Sequence, residues 1–208
     1  MTTPDPYTLV PVDPSKFNPD AVLPFRLTVE HIQKAMEEYI DFLQFINAQL
    51  HTRDLERLES FLMPANFSSI VGEFMNSSIP KYCPTIMRNL YHNGHPDLIP
   101  TDMFPGNSIL HGDKGIEIKA SRHKNGWQGH NAEASWLMVF VFDSNTSNDL
   151  AKGIADKPFK FVKVLGAQLE LTDWTFSGRS ETSRRTITAS INKSGSEKMH
   201  ANWIYKDL

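Results

Sequence analysis

Gly115-Ile116-Glu117-Ile118-Lys119-Ala120-Ser121 alternates apolar and polar side chains with the period of two expected of a half-buried β-strand. That period sends Ile116, Ile118 and Ala120 into a core and leaves Glu117 and Lys119 together on the opposite face. Just upstream, Ile109-Leu110 and the turn His111-Gly112-Asp113-Lys114-Gly115 predict the other arm of a β-hairpin. Downstream, Trp136 to Phe142 is an unbroken apolar run of strand length, the mark of a strand covered on both faces. Phe159 to Leu171 and Arg185 to Ile191 are two further strand candidates.

The first half of the chain reads differently. Residues 1–27 carry Pro4, Pro6, Pro11, Pro14, Pro19 and Pro24 and predict an extended arm without regular structure. Thr28 has the chemistry of a helix cap, and Ile32, Ala35, Met36, Tyr39, Leu43 and Ile46 follow at helical spacing, so a long amphipathic helix is expected over about 29–50. Helical stretches are also expected over about 53–63 and Ser68 to Ser77, and a short one near Thr85 to Tyr91, amid the breakers Pro80, Pro84, Gly94, Pro96, Pro100 and Pro105. Helices first and strands later, with no internal repeat, give one mixed α/β (α+β) domain over 1–208: an arm at 1–27, a helical region at 28–92 and a sheet-bearing part at 93–208. Its central mixed sheet is expected to be flanked by helices.

The chain has 208 residues, 40% of them hydrophobic and 22% charged, which excludes wholesale disorder. The longest apolar run is too short to span a bilayer, and Met1 to Asp20 lacks the apolar segment of a secretory signal. A single cysteine, Cys83, fits a reducing compartment, so a cytoplasmic protein is expected.

Two opposite charges on one face of a strand beside a core are costly unless used or paired. Upstream lies His95-Pro96-Asp97-Leu98, where Asp97 could be brought beside Glu117 by a hairpin. Asp102 and Asp113 are the alternatives, Asp113 belonging more naturally to the turn.

Pro96-Asp97 followed by Glu117-Ile118-Lys119 resembles the PD-(D/E)XK nuclease superfamily, and within it the type II restriction endonucleases in size and layout. The resemblance covers residues 96–121 and loosely extends to Trp136–Phe142. It implies a restriction-endonuclease-like core and Mg2+-dependent hydrolysis of double-stranded DNA to 5'-phosphate and 3'-hydroxyl ends. Mn2+ would serve as a substitute ion, with Ca2+ supporting binding without cleavage. Asp97, Glu117 and the Ile118 carbonyl would hold the ion, and Lys119 would act on the attacking water. A glutamate from a preceding helix, here Glu73, would complete the set. The family pattern places a helix between the motif strand and the next. Only residues 120–135 lie between Lys119 and Trp136, so that helix is expected to be short or replaced by a loop.

The loop Ser121 to Asn131 is rich in groups that read purine edges. Arg122 and Lys124 suit guanine and Asn125, Gln128 and Asn131 suit adenine, with His123, Trp127 and His130 between them. The alternative is a solvated loop with Trp127 tucked against the core. Arg184 and Arg185, among hydroxyl side chains, are candidate phosphate contacts, and Asn192 to His200 offers more cations; the alternative there is an exposed edge strand with its turns. Cutting both strands of a palindrome favours a homodimer, for which the long helix is one possible face.

The formal net charge of −3 argues against nucleic acid only at first sight. Met1 to Met63 holds ten acidic against five basic residues and Trp174 to Leu208 six basic against three acidic, and carboxylates at a metal site count towards the sum. Binding is then expected to need a divalent ion and to weaken with salt. Other readings stay open: a repair or junction nuclease using the same site, or a DNA-binding module with a degenerate one. His92, His95, His111, His123 and His130 also suggest a histidine-metal site, although they match no closed zinc spacing.

Overall fold

The computed structural model describes residues 7–129, 131–149, 152–176 and 188–207. Among the described residues, four α-helices, α1 (Val29–His51), α2 (Leu58–Phe61), α3 (Pro64–Tyr82) and α4 (Lys193–Ala201), accompany nine strands: β1 (Ile86–Arg88), β2 (Leu98–Pro100), β3 (Ile116–Ser121), β4 (Gln128–Gly129), β5 (Trp136–Asp143), β6 (Lys160–Gln168), β7 (Trp174–Phe176), β8 (Ala189–Ile191) and β9 (Trp203–Lys206). Six strands form one sheet in the order β1-β2-β3-β5-β6-β9, and β4-β8-β7 form a small second sheet. Only β3 and β5 run parallel in the large sheet, which is otherwise antiparallel. The chain is therefore mixed α/β around a central mixed sheet, as expected.

The run Trp136–Phe142 explains the layering. Trp136, Met138, Phe140 and Phe142 pack with Ile116, Ile118 and the helices α1 and α3 in one core. Leu137, Val139 and Val141 face the other way, into a core closed by Trp127, Trp174, Ile191 and Met199 from the small sheet and α4. Each of these large side chains contributes on the order of 1.5–3 kcal/mol on burial, so both layers are strongly held to β5.

Thr28 caps α1, its hydroxyl accepting from the His31 amide while the His31 ring accepts from the Thr28 amide. The apolar face predicted for α1 is buried against α3 and the sheet, so the helix covers the core. The proline-rich arm lies along the outer edge of β9: the Asn18 amide donates to Ile204 at 2.9 Å and the Val22 amide to Asn202 Oδ1 at 2.9 Å. The open edge of the sheet is thereby covered.

Four expectations need correction. The antiparallel partner of β3 is β2, with Leu98 opposite Ile116, and Ile109-Leu110 belong to a loop. Asn89 accounts for this, because its buried carboxamide donates to Pro96 and Ile109 carbonyls and accepts from the Ile109 amide, fixing both segments as turns. The short helix expected near Thr85 to Tyr91 is strand β1, so the helical region ends before residue 92. Pro80 does not break α3 but sits in its last turn, where the one bond it cannot donate, to the Asn76 carbonyl, lies near the helix end and only Lys81 and Tyr82 follow. Finally, the edge strand and turns considered after Asn192 are helix α4, with the Asn192 carboxamide accepting from the Gly195 amide as its cap. The segment expected as strand over Arg185 to Ile191 is strand from Ala189, and its earlier part, through residue 187, lies outside the described residues.

Gly115, at the entrance to β3, has φ +151°, and a Cβ there would collide with the Leu98 carbonyl and approach Pro96 Cγ to 2.8 Å. Gly115→Ala should therefore push β3 off β2 and destabilise the protein by about 2 kcal/mol, through backbone strain and the collision together. Urea denaturation checks this; a loss below about 0.5 kcal/mol would mean that the β2–β3 junction is loose.

Candidate active site

Because β2 and β3 are antiparallel with Leu98 opposite Ile116, Asp97 and Glu117 come to lie beside each other on one sheet face. The Ile118 amide donates to Asp97 Oδ2 at 2.8 Å, tying the two strands at this point. Glu117 uses both oxygens: Oε1 accepts from Lys119 Nζ at 2.8 Å and Oε2 meets His95 Nδ1 at 2.9 Å. Glu133, in the crossover before β5, brings Oε2 to 3.4 Å from the same His95 nitrogen. His95, Glu117 and Glu133 each offer a ligand atom within 4.8 Å of the others. Their side chains are 15%, 14% and 18% exposed, half-buried at the edge of the sheet.

The backbones behind these groups are fixed. His95 donates its amide to Leu110 at 2.9 Å and accepts from Gly112 at 2.8 Å. The Glu133 carbonyl accepts from the indole of buried Trp174 at 3.0 Å. Gly129 lies beside the Lys119 stem: a Cβ there would meet Lys119 Cε in ordinary contact at 3.7 Å and press on the Asn131 carbonyl at 3.2 Å. Such support from the surrounding shell holds a polar cluster in one geometry.

Glu73 projects from α3, pairs with Arg88 and lines the open cleft of about 400 Å3 that also holds Asp97, Glu117, Ile118 and Lys119. Asp102 sits in an exposed turn with Asn107, and Asp113 is exposed in the loop before β3; neither lines this cleft.

The charges are unequally compensated. Burial and the neighbouring Glu117 carboxylate raise Asp97 to about 7, against only partial relief from the Ile118 amide and Lys119. Burial acts on Glu117 in the same direction, but His95 and Lys119 outweigh it and hold Glu117 down at about 2. Burial opposes the charge on Lys119 and on His95, yet the surrounding carboxylates leave both raised above their ordinary values. Asp97 and Glu117 line the cleft, His95 and Glu133 gather with Glu117 in a second group, and carboxylates with an imidazole are a donor set suited to a hard or borderline divalent cation.

The predicted DNA-reading loop separates into parts. Trp127 is 3% exposed, its indole donating to the His123 carbonyl at 2.9 Å, so it belongs to the core and offers no face to a duplex. Arg122 spends its guanidinium on the carbonyls of Ser144 and Asn145, which join the crossover to the end of β5. His123, Lys124, Asn125, Gln128 and Asn131 are exposed. His130, Arg184 and Arg185 lie outside the described residues. The crossover 122–135 contains β4 and, among its described residues, no helix.

The structure brings Asp97, Glu117, Lys119 and Glu73, expected together from the sequence, to line one cleft. The sequence pointed to His95 only within a histidine cluster, of which the described residues show a backbone bridge between His95 and His111. Glu133 was missed, because nothing in its local sequence signals that Trp174, 41 residues later, fixes its backbone. No family model, curated protein or solved structure matches the chain, so the reading of the site rests on its own geometry.

A raised carboxyl makes folding pH-dependent in a defined direction. The Asp97 value of about 7 lies above its ordinary 3.8, so its contribution to stability is complete below about pH 4 and is lost as pH rises through 7. Glu117 behaves oppositely, its contribution being lost only as pH falls from 4.5 towards 2. In EDTA at pH 8, Asp97→Asn should therefore unfold at a higher temperature than wild type, by about 2–4 °C for each kcal/mol of repulsion relieved. Near pH 4.5 the two should nearly coincide. Equal melting at pH 8 would show that the Asp97 and Glu117 charges do not conflict.

Proposed function

We propose that this chain is a divalent-metal-dependent DNA endonuclease of the PD-(D/E)XK type, with the restriction-endonuclease-like organisation that its motif resembles. The observation that carries the reading is the placement of Asp97 against Glu117 across β2–β3, with Lys119 on the same face and Glu73 at the rim. The parallel β3–β5 pair follows the motif strand directly, reached by a loop where the family pattern has a helix.

Asp97 and Glu117, with the Ile118 carbonyl, would hold Mg2+ or Mn2+, and His95 and Glu133 extend the donor set on the far side of Glu117. When bound, the ion supplies charge neutralisation for the phosphate and lowers the pKa of a coordinated water. Lys119 stays an ammonium at neutral pH because carboxylates surround it. It therefore acts as a hydrogen-bond donor that positions the nucleophilic water and stabilises charge growing on phosphate oxygen. Asp97 competes for a proton near neutrality, so ion binding and activity should rise with pH through about 7. Water adds to phosphorus, the bond from phosphorus to O3' breaks, and the products are a 5'-phosphate and a 3'-hydroxyl. Two copies acting on opposite strands would produce a double-strand break.

The test is incubation of purified protein with methylated and unmethylated plasmids in Mg2+ or Mn2+. Wild type should linearise or fragment the DNA, and Lys119→Ala and Glu117→Ala should each lower the rate by about 10²-fold or more. Absence of cutting across the panel removes the enzyme reading, and equal cutting by the variants removes the site assignment. Selective cutting of branched or mismatched duplexes would replace sequence-specific cleavage by a junction or repair role.

A further inference from the structure

The sheet register carries the catalytic face on to a group of cations that the motif does not include. Ser121, two residues beyond Lys119 on β3, lies opposite Val141, and Val141 lies opposite Lys163 on β6. Lys163 in turn lies directly opposite Lys206 on β9. Side chains in one cross-strand row share a face, and Val141 faces the second core, on the side of Glu117 and Lys119. Two strand spacings of about 4.8 Å and two residues along β3 put Lys163 roughly 12 Å from Lys119.

Like charges directly opposite each other weaken a strand pair, so an unneutralised Lys163–Lys206 pair costs stability. Among the described residues, neither lysine nor Lys124 meets a carboxylate within ion-pair distance. Lys206 extends over the Trp203 ring, 4.8 Å from its centre, which fixes the direction of its stem. His200, at the end of α4, brings its Nε2 to 2.8 Å from Asn125 Oδ1 in the crossover loop. That contact also holds the loop bearing Lys124 against this side of the protein. Burial first, and then Lys206 and Lys124, push the Lys163 ammonium below its ordinary range. His200 is lowered likewise, by burial and by Lys163 and Lys206.

We propose that Lys163, Lys206 and Lys124, the last on the loop that His200 holds in place, form a phosphate-binding track that carries the backbone of a nucleic-acid duplex away from the Asp97–Glu117–Lys119 cleft. This rests on the nuclease reading for the location of the cleft, and adds the path of the substrate. About 12 Å corresponds to the axial rise of three to four nucleotides of one strand at 3.4 Å each. The second core lies over Val139 and Val141, so a duplex with one phosphate at Lys119 would reach Lys163 and Lys206 by passing over the crossover that carries the exposed Lys124. Point-charge lysines on a strand fix position and carry no sequence information. The track should consequently serve every DNA sequence alike.

The test is fluorescence anisotropy of a labelled mixed-sequence duplex in Ca2+, with salt varied, for wild type, Lys163→Glu and the double variant Lys163→Gln/Lys206→Gln. Neutralising both lysines should weaken binding at least tenfold and reduce the slope of log affinity against log salt by about 2, close to 0.9 per phosphate contact removed. Lys163→Glu turns the like-charged pair into an opposite-charged one, so it should melt no lower than wild type while losing duplex affinity; that combination separates a binding role from a structural one. Unchanged affinity and slope in both variants overturn the track, as does absence of duplex binding by wild type at low salt. The two readings fail separately. Plasmid cleavage that persists at wild-type rate in Lys163→Glu sinks the track and leaves the nuclease standing. Lysine-dependent duplex binding without cleavage under any divalent ion does the reverse.

Discussion

The hydrogen bond from the Ile118 amide to Asp97 Oδ2, 2.8 Å long, fixes the relation of two strands on which the rest of the site is built. On one face of β3, Ile116 and Ile118 are packed into the helical core and cannot rotate. The period of the strand then leaves Glu117 and Lys119 no direction but the opposite face. Asp97 arrives on that face because Leu98 pairs with Ile116, and Gly115 admits the approach because no side chain stands in the way. The crowded carboxylates are thus a consequence of core packing. Folding energy from the two apolar layers holds them together against their mutual repulsion.

The balance of charge is local and asymmetric. Glu117 has two cationic neighbours and stays ionised, while Asp97, 20 residues earlier, keeps its proton to near neutrality. Pairs of acids driven apart in this way are characteristic of sites where a cation or proton is exchanged. The same sheet carries a surplus of the opposite sign farther along, at Lys163 and Lys206. Acidic and basic ends of one face would suit a substrate held by its phosphates and cut at a metal, and a net charge of −3 for the whole chain conceals both. Among the described residues, no helix is long and apolar enough to cross a membrane.

Much of the fold was legible because its signals are periodic. The 29–50 helix, the β5 run and the Glu117–Lys119 strand each satisfy one spacing rule over five or more residues. The errors fall where a distant contact decides. Residues 86–88 have no strand pattern of their own and become β1 only by pairing with Leu98–Pro100. Lys198 was counted among free cations, yet it is tied to buried Asp173 at 2.6 Å, a partner 25 residues away. In the site, Asp97 and Glu117 were legible from spacing, whereas Glu133 depends on the crossover and on Trp174. Arg122 looked like a DNA contact from composition, whereas Trp127 follows the alternative of a ring tucked against the core, and both anchor the loop that carries them.

The central claim is that the Asp97–Glu117 cluster is built for a divalent cation, and calorimetric titration of the protein with Mn2+ in buffers of different ionisation enthalpy tests it most directly. The account predicts saturable binding that releases roughly half a proton or more per ion near pH 7, since Asp97 is about half protonated there and must ionise to become a ligand. Release should shrink as pH rises towards 8.5, and Asp97→Asn should lower it, leaving only the share that His95 gives up. Absence of saturable binding at millimolar Mn2+, or proton release undiminished in Asp97→Asn, would contradict it.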